Sequence, residues 1–289
     1  MTTEPWTIRK VLTWASDDLR TRESDTPRLD AELLLANVLG INRIGLITDA
    51  DRPLAKEELA RYRELHKRRR SGEPVAYLLG VREFYGRPFR VDKRVLVPRP
   101  DTEILVEVAL HRMRARSLSA RVLDLCTGSG CVALSLAKER PTWSVLGTDI
   151  SEDALVVARD NAARLGALPR AAFTCSDLFA GIAPGARFDL ITANPPYIPD
   201  GDKSSLAQTI VGFEPLVALF GGDDGLVFAK RIIAEAPPFM APGAVLAMEI
   251  GAGQAQEVAS VFRERGFDEV DIRKDYGSIE RVVSGLRPS

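Results

Sequence analysis

The first 70 or so residues place apolar side chains at the three-and-four spacing of helices. Ile8, Val11, Leu12, Ala15 and Leu19 form one apolar stripe. Pro27 opens a second helix containing Leu33, Leu34, Leu35, Val38 and Leu39, with Gly40 at its C-terminal stop. A third runs from about Leu54 to Arg70, with Leu59, Tyr62 and Leu65 on its buried side. Together they predict a small helical bundle. From Ser71 to Pro100 the pattern changes. Glu83-Phe84-Tyr85 and Phe89-Arg90-Val91 alternate about Gly86-Arg87-Pro88, which predicts a β-hairpin or linker. Val95-Leu96-Val97 then leads into Pro98-Arg99-Pro100, where paired prolines forbid helix, and a helix follows from Thr102 to about Arg114.

After Arg121 the rhythm becomes strand, helix, strand. Val122–Leu125 is a short apolar strand and Val132–Lys138 a helix. Val145–Ile150 is a second strand, followed by a helix from Asp153 to Leu165 that Gly166 stops. Ala172-Phe173-Thr174 and Leu190-Ile191-Thr192 read as further strands. A helix Leu226–Ala236, a strand Val245–Ile250, a helix Gln254–Arg265 and two strands near Val270 and Val282 close the pattern. Such alternation predicts an α/β domain with a largely parallel sheet covered on both faces. The predicted organisation is a helical domain over 1–75, a hairpin linker over 76–100 and the α/β domain over 101–289.

Composition narrows the function without naming it. A chain of 289 residues with 45% hydrophobic and 27% charged residues reads as an ordinary soluble protein of two domains. A net charge of −1 does not point to nucleic acid or to an anionic membrane. No apolar run reaches the roughly 18 to 20 residues that span a bilayer. Met1–Lys10, with Glu4 and Pro5, lacks a signal-peptide core. Cys126, Cys131 and Cys175 have no framework spacing, and free thiols in a reducing cytoplasm fit them. His66 and His111 are too far apart to suggest zinc, so no metal is expected. The run His66-Lys67-Arg68-Arg69-Arg70 ends a helix, where cations suit the dipole, and reads as a solvated face.

Two segments carry chemistry. Asp124-Leu125-Cys126-Thr127-Gly128-Ser129-Gly130 joins the first strand to its helix, where glycines admit a ligand and the helix N-terminus offers free N–H groups. Asp149, ending the next strand, stands where a carboxylate accepts hydrogen bonds from a ribose. Gly128-Ser129-Gly130-Cys131-Val132-Ala133 also fits the dinucleotide fingerprint, so this loop alone leaves a dehydrogenase and a methyltransferase both open. Acidic Asp124 and a downstream signature favour the methyltransferase. Asp177 is a candidate for the adenine amino group, with a solvated loop carboxylate as its rival. Arg99, Thr102 and Glu103 sit at a linker-to-helix junction, where capping by Asp101 or Thr102 is the simple explanation.

The downstream signature is Asn194-Pro195-Pro196-Tyr197, just after the apolar strand Asp189–Thr192. An amide nitrogen is a poor nucleophile because its lone pair is delocalised. The Asn194 side-chain oxygen and the Pro195 carbonyl supply two acceptors for one NH2 group, orienting it and stabilising the positive charge that develops there. Tyr197 offers a ring to a planar substrate group or to a cationic cofactor. The expected reaction is in-line methyl transfer to a planar nitrogen, with no metal and no covalent intermediate.

The chain resembles the peptide chain release factor glutamine methyltransferases, the HemK/PrmC family, along nearly its whole length. The similar segments include Arg28–Leu35, Gly72–Gly80, Val95–Glu103, the cofactor loop, Asn194–Ile198, Phe213-Glu214-Pro215, Glu249-Ile250-Gly251 and Asp275–Val282. The resemblance implies a class I S-adenosylmethionine-dependent, Rossmann-like methyltransferase domain, a helical N-terminal domain that helps hold the substrate, and a hairpin between them. It implies methylation at N5 of the glutamine in the Gly-Gly-Gln loop of class 1 release factors, with S-adenosylhomocysteine as product. The implied enzyme is a cytoplasmic monomer needing no nucleic acid. Cofactor contacts would fall on Asp124, Cys126, Thr127, Gly128, Ser129, Gly130, Asp149, Asp177, Leu178 and Asn194. Substrate contacts would fall on Asn194, Pro195, Pro196 and Tyr197, with Asn194, Pro195 and Tyr197 catalytic. Two departures stand out: Cys126 replaces a usual glycine, and Ile210-Val211-Gly212 lacks an acidic residue common in relatives.

Overall fold

A computed structural model of the chain describes residues 5–22, 24–114, 118–204 and 212–288. Ile210 and Val211, in the departure noted above, lie outside the described residues. The chain divides into two compact units: the first runs through Gly80 and takes in Gly212 and Phe213, and the second runs from Val81 and resumes at Glu214.

The first unit is helical: α1 (Ile8–Arg20), α2 (Pro27–Leu39), α3 (Arg43–Thr48), α4 (Lys56–Arg70) and α5 (Val75–Leu79). The apolar stripe of α1 is buried with Leu34, Leu35 and Tyr62, as its periodicity requires. α3 and α5 escape sequence reading because one turn or so of helix shows no periodicity. Asn42 nonetheless caps α3, its Oδ1 accepting from the Gly45 N–H at 2.9 Å. The basic run ending α4 is solvated, as expected, at Lys67, Arg68 and Arg70, but not at His66 and Arg69. His66 is buried and bonded to Asp18 at 2.8 Å, Arg69 pairs with buried Asp30 at 2.8 Å, and Arg68 pairs with Glu73. These cations hold the bundle's own carboxylates.

The second unit opens with a hairpin of β1 (Val81–Phe84) and β2 (Arg87–Arg90). A short 3-10 turn, Pro100–Thr102, precedes α6 (Glu103–Arg112). The sheet contains β3 (Arg121–Leu125), β4 (Ser144–Asp149), β5 (Ala171–Cys175), β6 (Phe188–Ala193), β7 (Met240–Glu249), β8 (Asp268–Lys274) and β9 (Glu280–Leu286). Helices α7 (Cys131–Glu139) and α8 (Glu152–Arg164), with Val227–Glu235 and Ala255–Glu264, cover it. The strand order is β5-β4-β3-β6-β7-β9-β8. The first five strands are parallel, while β9 and β8 are antiparallel additions at one edge. Alternation splits the core: Val122 of β3 packs on one face, with α6 and α7, and Leu123 and Leu125 on the other. No described helix is long and apolar enough to cross a membrane.

Strand β7 begins five residues before the expected Val245, at Met240. Pro242-Gly243 fall within an irregularity of β7, where Met240 to Val245 span Phe188 to Leu190 of β6, and the two strands pair on both sides of it. The topology reverses between β3 and β6, the place where ligands bind above the carboxyl ends of strands.

The hairpin is no loose linker within this unit. Phe84 and Phe89 are buried in the core with Ile104 and Val132. Asn161 of α8, fully buried, accepts from the Arg90 N–H at 2.7 Å and donates to the carbonyls of Arg90 and Ser129 at 3.0 and 2.9 Å. One side chain thus clamps the hairpin to the loop after β3. Asn161→Ala leaves buried backbone groups unpaired, and it is expected to cost about 2 to 3 kcal/mol. Urea unfolding, read as a lowered midpoint with unchanged slope, checks this.

Candidate active site

Four parallel strands end at one edge, and each delivers a polar residue there. β3 delivers Asp124, β4 Asp149, β5 the segment Ser176-Asp177, and β6 Asn194. A cleft lies above them, within the second unit, lined by residues from the ends of all four strands. Of the predicted site residues, Gly130, Pro195 and Tyr197 do not line this cleft, and the others do.

Asp124 is buried, accepting from the Thr127 hydroxyl at 2.6 Å and the Thr192 hydroxyl at 2.7 Å. Burial pushes its carboxyl up to about 6. Asp149 accepts from the Gly128 N–H at 2.9 Å and the Ser151 N–H at 3.0 Å, and burial raises its carboxyl above the usual range. Each Asp149 oxygen keeps a lone pair for a ligand hydroxyl. Ile150 beside it is 56% exposed on the cleft wall, an apolar surface at a polar rim.

Cys126 has φ of 55° and Leu178 has φ of 47°, so two side chains of the cleft wall sit in the left-handed region. That conformation explains why glycine suits position 126, and strain of this kind gathers at binding sites. Burial raises the thiol of Cys126 well above its ordinary value, which keeps it neutral. Asp177 lines the cleft, but both its oxygens pair with Arg231, at 3.1 and 3.3 Å. It therefore reaches the cleft as a half-exposed ion pair, each oxygen keeping a lone pair.

The segment after β6 is fixed from behind. Asn194 donates from Nδ2 to the Thr102 hydroxyl at 3.2 Å, and its Oδ1 has no hydrogen-bond partner among the described residues. The Tyr197 hydroxyl points away from the cleft lining to Glu249, donating to Oε1 at 3.4 Å. Gln254 donates to the Tyr197 carbonyl at 2.9 Å while its Oε1 accepts from the Gly251 N–H. Gly221 and Gly225 pack directly beneath, where a Cβ on Gly225 would collide with the Tyr197 carbonyl and Gln254. Gly225 also has φ of +71°, so it has two reasons to lack a side chain.

Thr102, Glu249, Gln254 and Gly225 carry site geometry that sequence reading did not assign. Thr102 stands at the N-cap position of α6 without capping it through its side chain, and Asp101 pairs with Arg281 instead. Thr102 meets Asn194, and Glu103 accepts from the Tyr85 N–H at 2.8 Å. Arg99 pairs with buried Glu214 at 2.6 Å, and Glu214 also accepts from the Val97 N–H, so the arginine-proline segment is tied to Glu214. Glu249 did carry a signal, since it ends an apolar strand as Asp149 does.

Residues 10–80 match the PrmC N-terminal domain, and residues 100–214 match the methyltransferase small domain. The release factor glutamine methyltransferase of Geobacter sulfurreducens is 44% identical over 99% of this chain and 99% of its own. That of Vibrio cholerae is 42% identical over 96% of each. The solved structure of a methyltransferase from Pyrococcus furiosus is 19% identical, covering 71% of this chain and 91% of its own at a TM-score of 0.55, which is a likeness of fold. End-to-end identity at this level, on a methyltransferase fold with its cleft at the strand ends, shows that the chain belongs to the release factor glutamine methyltransferase family.

Proposed function

We propose that this protein transfers a methyl group from S-adenosylmethionine to the side-chain nitrogen, N5, of the glutamine in the Gly-Gly-Gln loop of class 1 release factors. The observation that carries the reading is Asn194: its Nδ2 is tied to Thr102, which leaves Oδ1 as an unengaged acceptor at the cleft. A glutamine amide offers two N–H groups, and the Pro195 carbonyl, next to Asn194 in the chain though outside the cleft lining, is assigned as the second acceptor. Both hold the nitrogen in line with the donor carbon and stabilise the charge that grows on it.

The residues of the cleft suit the cofactor. Asp149 has spare lone pairs for a ribose diol, Ile150 and Leu178 give apolar surface for a base, and Cys126–Gly130 brings backbone to the N-terminus of α7. S-adenosylmethionine supplies an electrophilic methyl on a sulfonium sulfur. The N–C bond forms as the S–C bond breaks, the electron pair leaves with sulfur as S-adenosylhomocysteine, and the amide proton passes to solvent. Positioning dominates, because no group beside Asn194 acts as a strong base. The N-terminal unit helps hold the release factor, and the enzyme works as a cytoplasmic monomer without nucleic acid.

Incubation with a purified release factor and S-adenosylmethionine, followed by mass spectrometry of the Gly-Gly-Gln peptide, is expected to show one added methyl on glutamine. A methyl found only on another acceptor would overturn the reading. Asn194→Ala is expected to lower kcat by about 100-fold or more while cofactor affinity, read by calorimetry, stays within several-fold. Gly225→Ala displaces the Tyr197 carbonyl and is expected to cost about 10-fold or more in kcat, measured with the same substrate.

A further inference from the structure

Behind Asn194 lies a buried polar network that the proposed chemistry does not use directly. Glu249 is 2% exposed, ends β7 and does not line the cleft. Its Oε1 accepts from Tyr197, and its Oε2 is buried without a partner among the described residues. The Thr102 hydroxyl, equally buried, faces the same carboxylate and stabilises its charged form. Thr102 in turn accepts from Asn194 Nδ2. Tyr197 donates to the acid, while Thr102, whose oxygen is taken by Asn194, lies near enough to favour its charged form and leaves Oε2 as the open acceptor for the Thr102 proton.

We propose that Glu249 is a positioning residue whose carboxylate takes the protons of Thr102 and Tyr197, so that Thr102 can only accept from Asn194 and Asn194 must present Oδ1 to the substrate nitrogen. This rests on the reading of Asn194 as a substrate acceptor. The logic is one of donor and acceptor count. A carboxylate only accepts, whereas a hydroxyl has one proton to give. While Glu249 is ionised, the Thr102 proton is spent on it and the Thr102 oxygen is left to receive Nδ2. Once Glu249 is protonated it can donate to Thr102, whose hydroxyl is then free to turn its proton to Asn194. The amide flips, and an NH2 group faces the substrate NH2. Two donors then meet, and the nitrogen loses its orientation.

The groups facing Glu249 set where this change falls. Burial pushes its carboxyl up to about 7, against the pull of Thr102, Arg281 and Tyr197, while Asp101 pushes the same way as burial. Arg281 of β9 is itself held by Asp101 at 3.1 Å and Asp275 at 2.9 Å, which limits what it gives to Glu249. Tyr197 stays a donor, since burial and the Glu249 charge both raise its phenol. Cys131 at the start of α7 stays neutral, its thiol pushed up to about 12 by burial. The active form is the ionised one, so kcat rises with pH through about 7 and then levels.

The test is a pH profile of kcat on a release factor for wild type, Glu249→Gln, Thr102→Val, Thr102→Ser and the double variant E249Q/T102V. Glutamine keeps one acceptor where the carboxylate has two, and it does not titrate. E249Q is expected to lose roughly 10-fold in kcat at pH 8 and the limb near pH 7, with cofactor affinity within a few-fold. Any limb that remains belongs to Asp124, at about 6. T102V is expected to match that loss and T102S to recover the rate. The double variant is expected to be no slower than either single change, because both break one chain. Wild-type rate and profile in E249Q, or fully additive losses, would overturn the proposal. Asn194→Ala separates the failures: full activity there sinks the acceptor reading itself, whereas an inactive N194A beside an unaltered E249Q sinks only the role of Glu249.

Discussion

The buried carboxylate of Asp124 is the joint on which the site is built. It stands at the end of β3, in register with Thr192 of β6, and takes the hydroxyl of Thr192 on one side and that of Thr127 on the other. An acid in such surroundings is costly to ionise, and its raised pKa records that cost. In return, the loop that carries Cys126–Gly130 and the strand that carries Asn194 share one anchor across the reversal in strand order. A shift of either would leave a buried charge unpaired, so the distance between the two halves of the cleft is held.

A second set of contacts fixes orientation. Thr102 holds the Asn194 amide and Glu249 holds the Tyr197 hydroxyl, while Gln254 with Gly225 holds the backbone of the same segment. The side chains that would touch the reacting nitrogen are few. Those that fix them come from the 3-10 turn before α6, the end of β7, the helix that begins at Ala255 and the loop before Val227. This division suits a reaction in which geometry, rather than a strong base, lowers the barrier.

Much of this was legible in the sequence, and the limits follow physical lines. The helical stripe of α1, the strand-helix alternation from Arg121 and the segment after β6 are local patterns, and each lies where its spacing placed it. The resemblance supplied the acceptor, which no pattern of Asn194–Tyr197 contains. Thr102 and Asn194 lie 92 residues apart, and Asn161 grips Arg90 from 71 residues away, so neither pairing leaves a local trace. The start of β7 at Met240 left no local pattern either, because Phe188 to Leu190 of β6 spans Met240 to Val245 of β7 and the surplus residues, Pro242-Gly243 among them, break the strand's alternation. The cations of α4 read as a surface, which Lys67, Arg68 and Arg70 are, but a charge run does not reveal that Asp18 and Asp30 await His66 and Arg69.

The packing of Gly221, Gly225 and Gln254 against the segment after Asn194 also bears on how such an enzyme can diversify. The reactive end of the cleft is locked into the fold by backbone contacts that tolerate no added atoms. The ion pair of Asp177 with Arg231, by contrast, stands half-exposed at the rim and touches no backbone of that segment. Drift under selection is therefore steered outward: a lineage can retune which surface docks at the mouth while its chemistry is inherited unchanged.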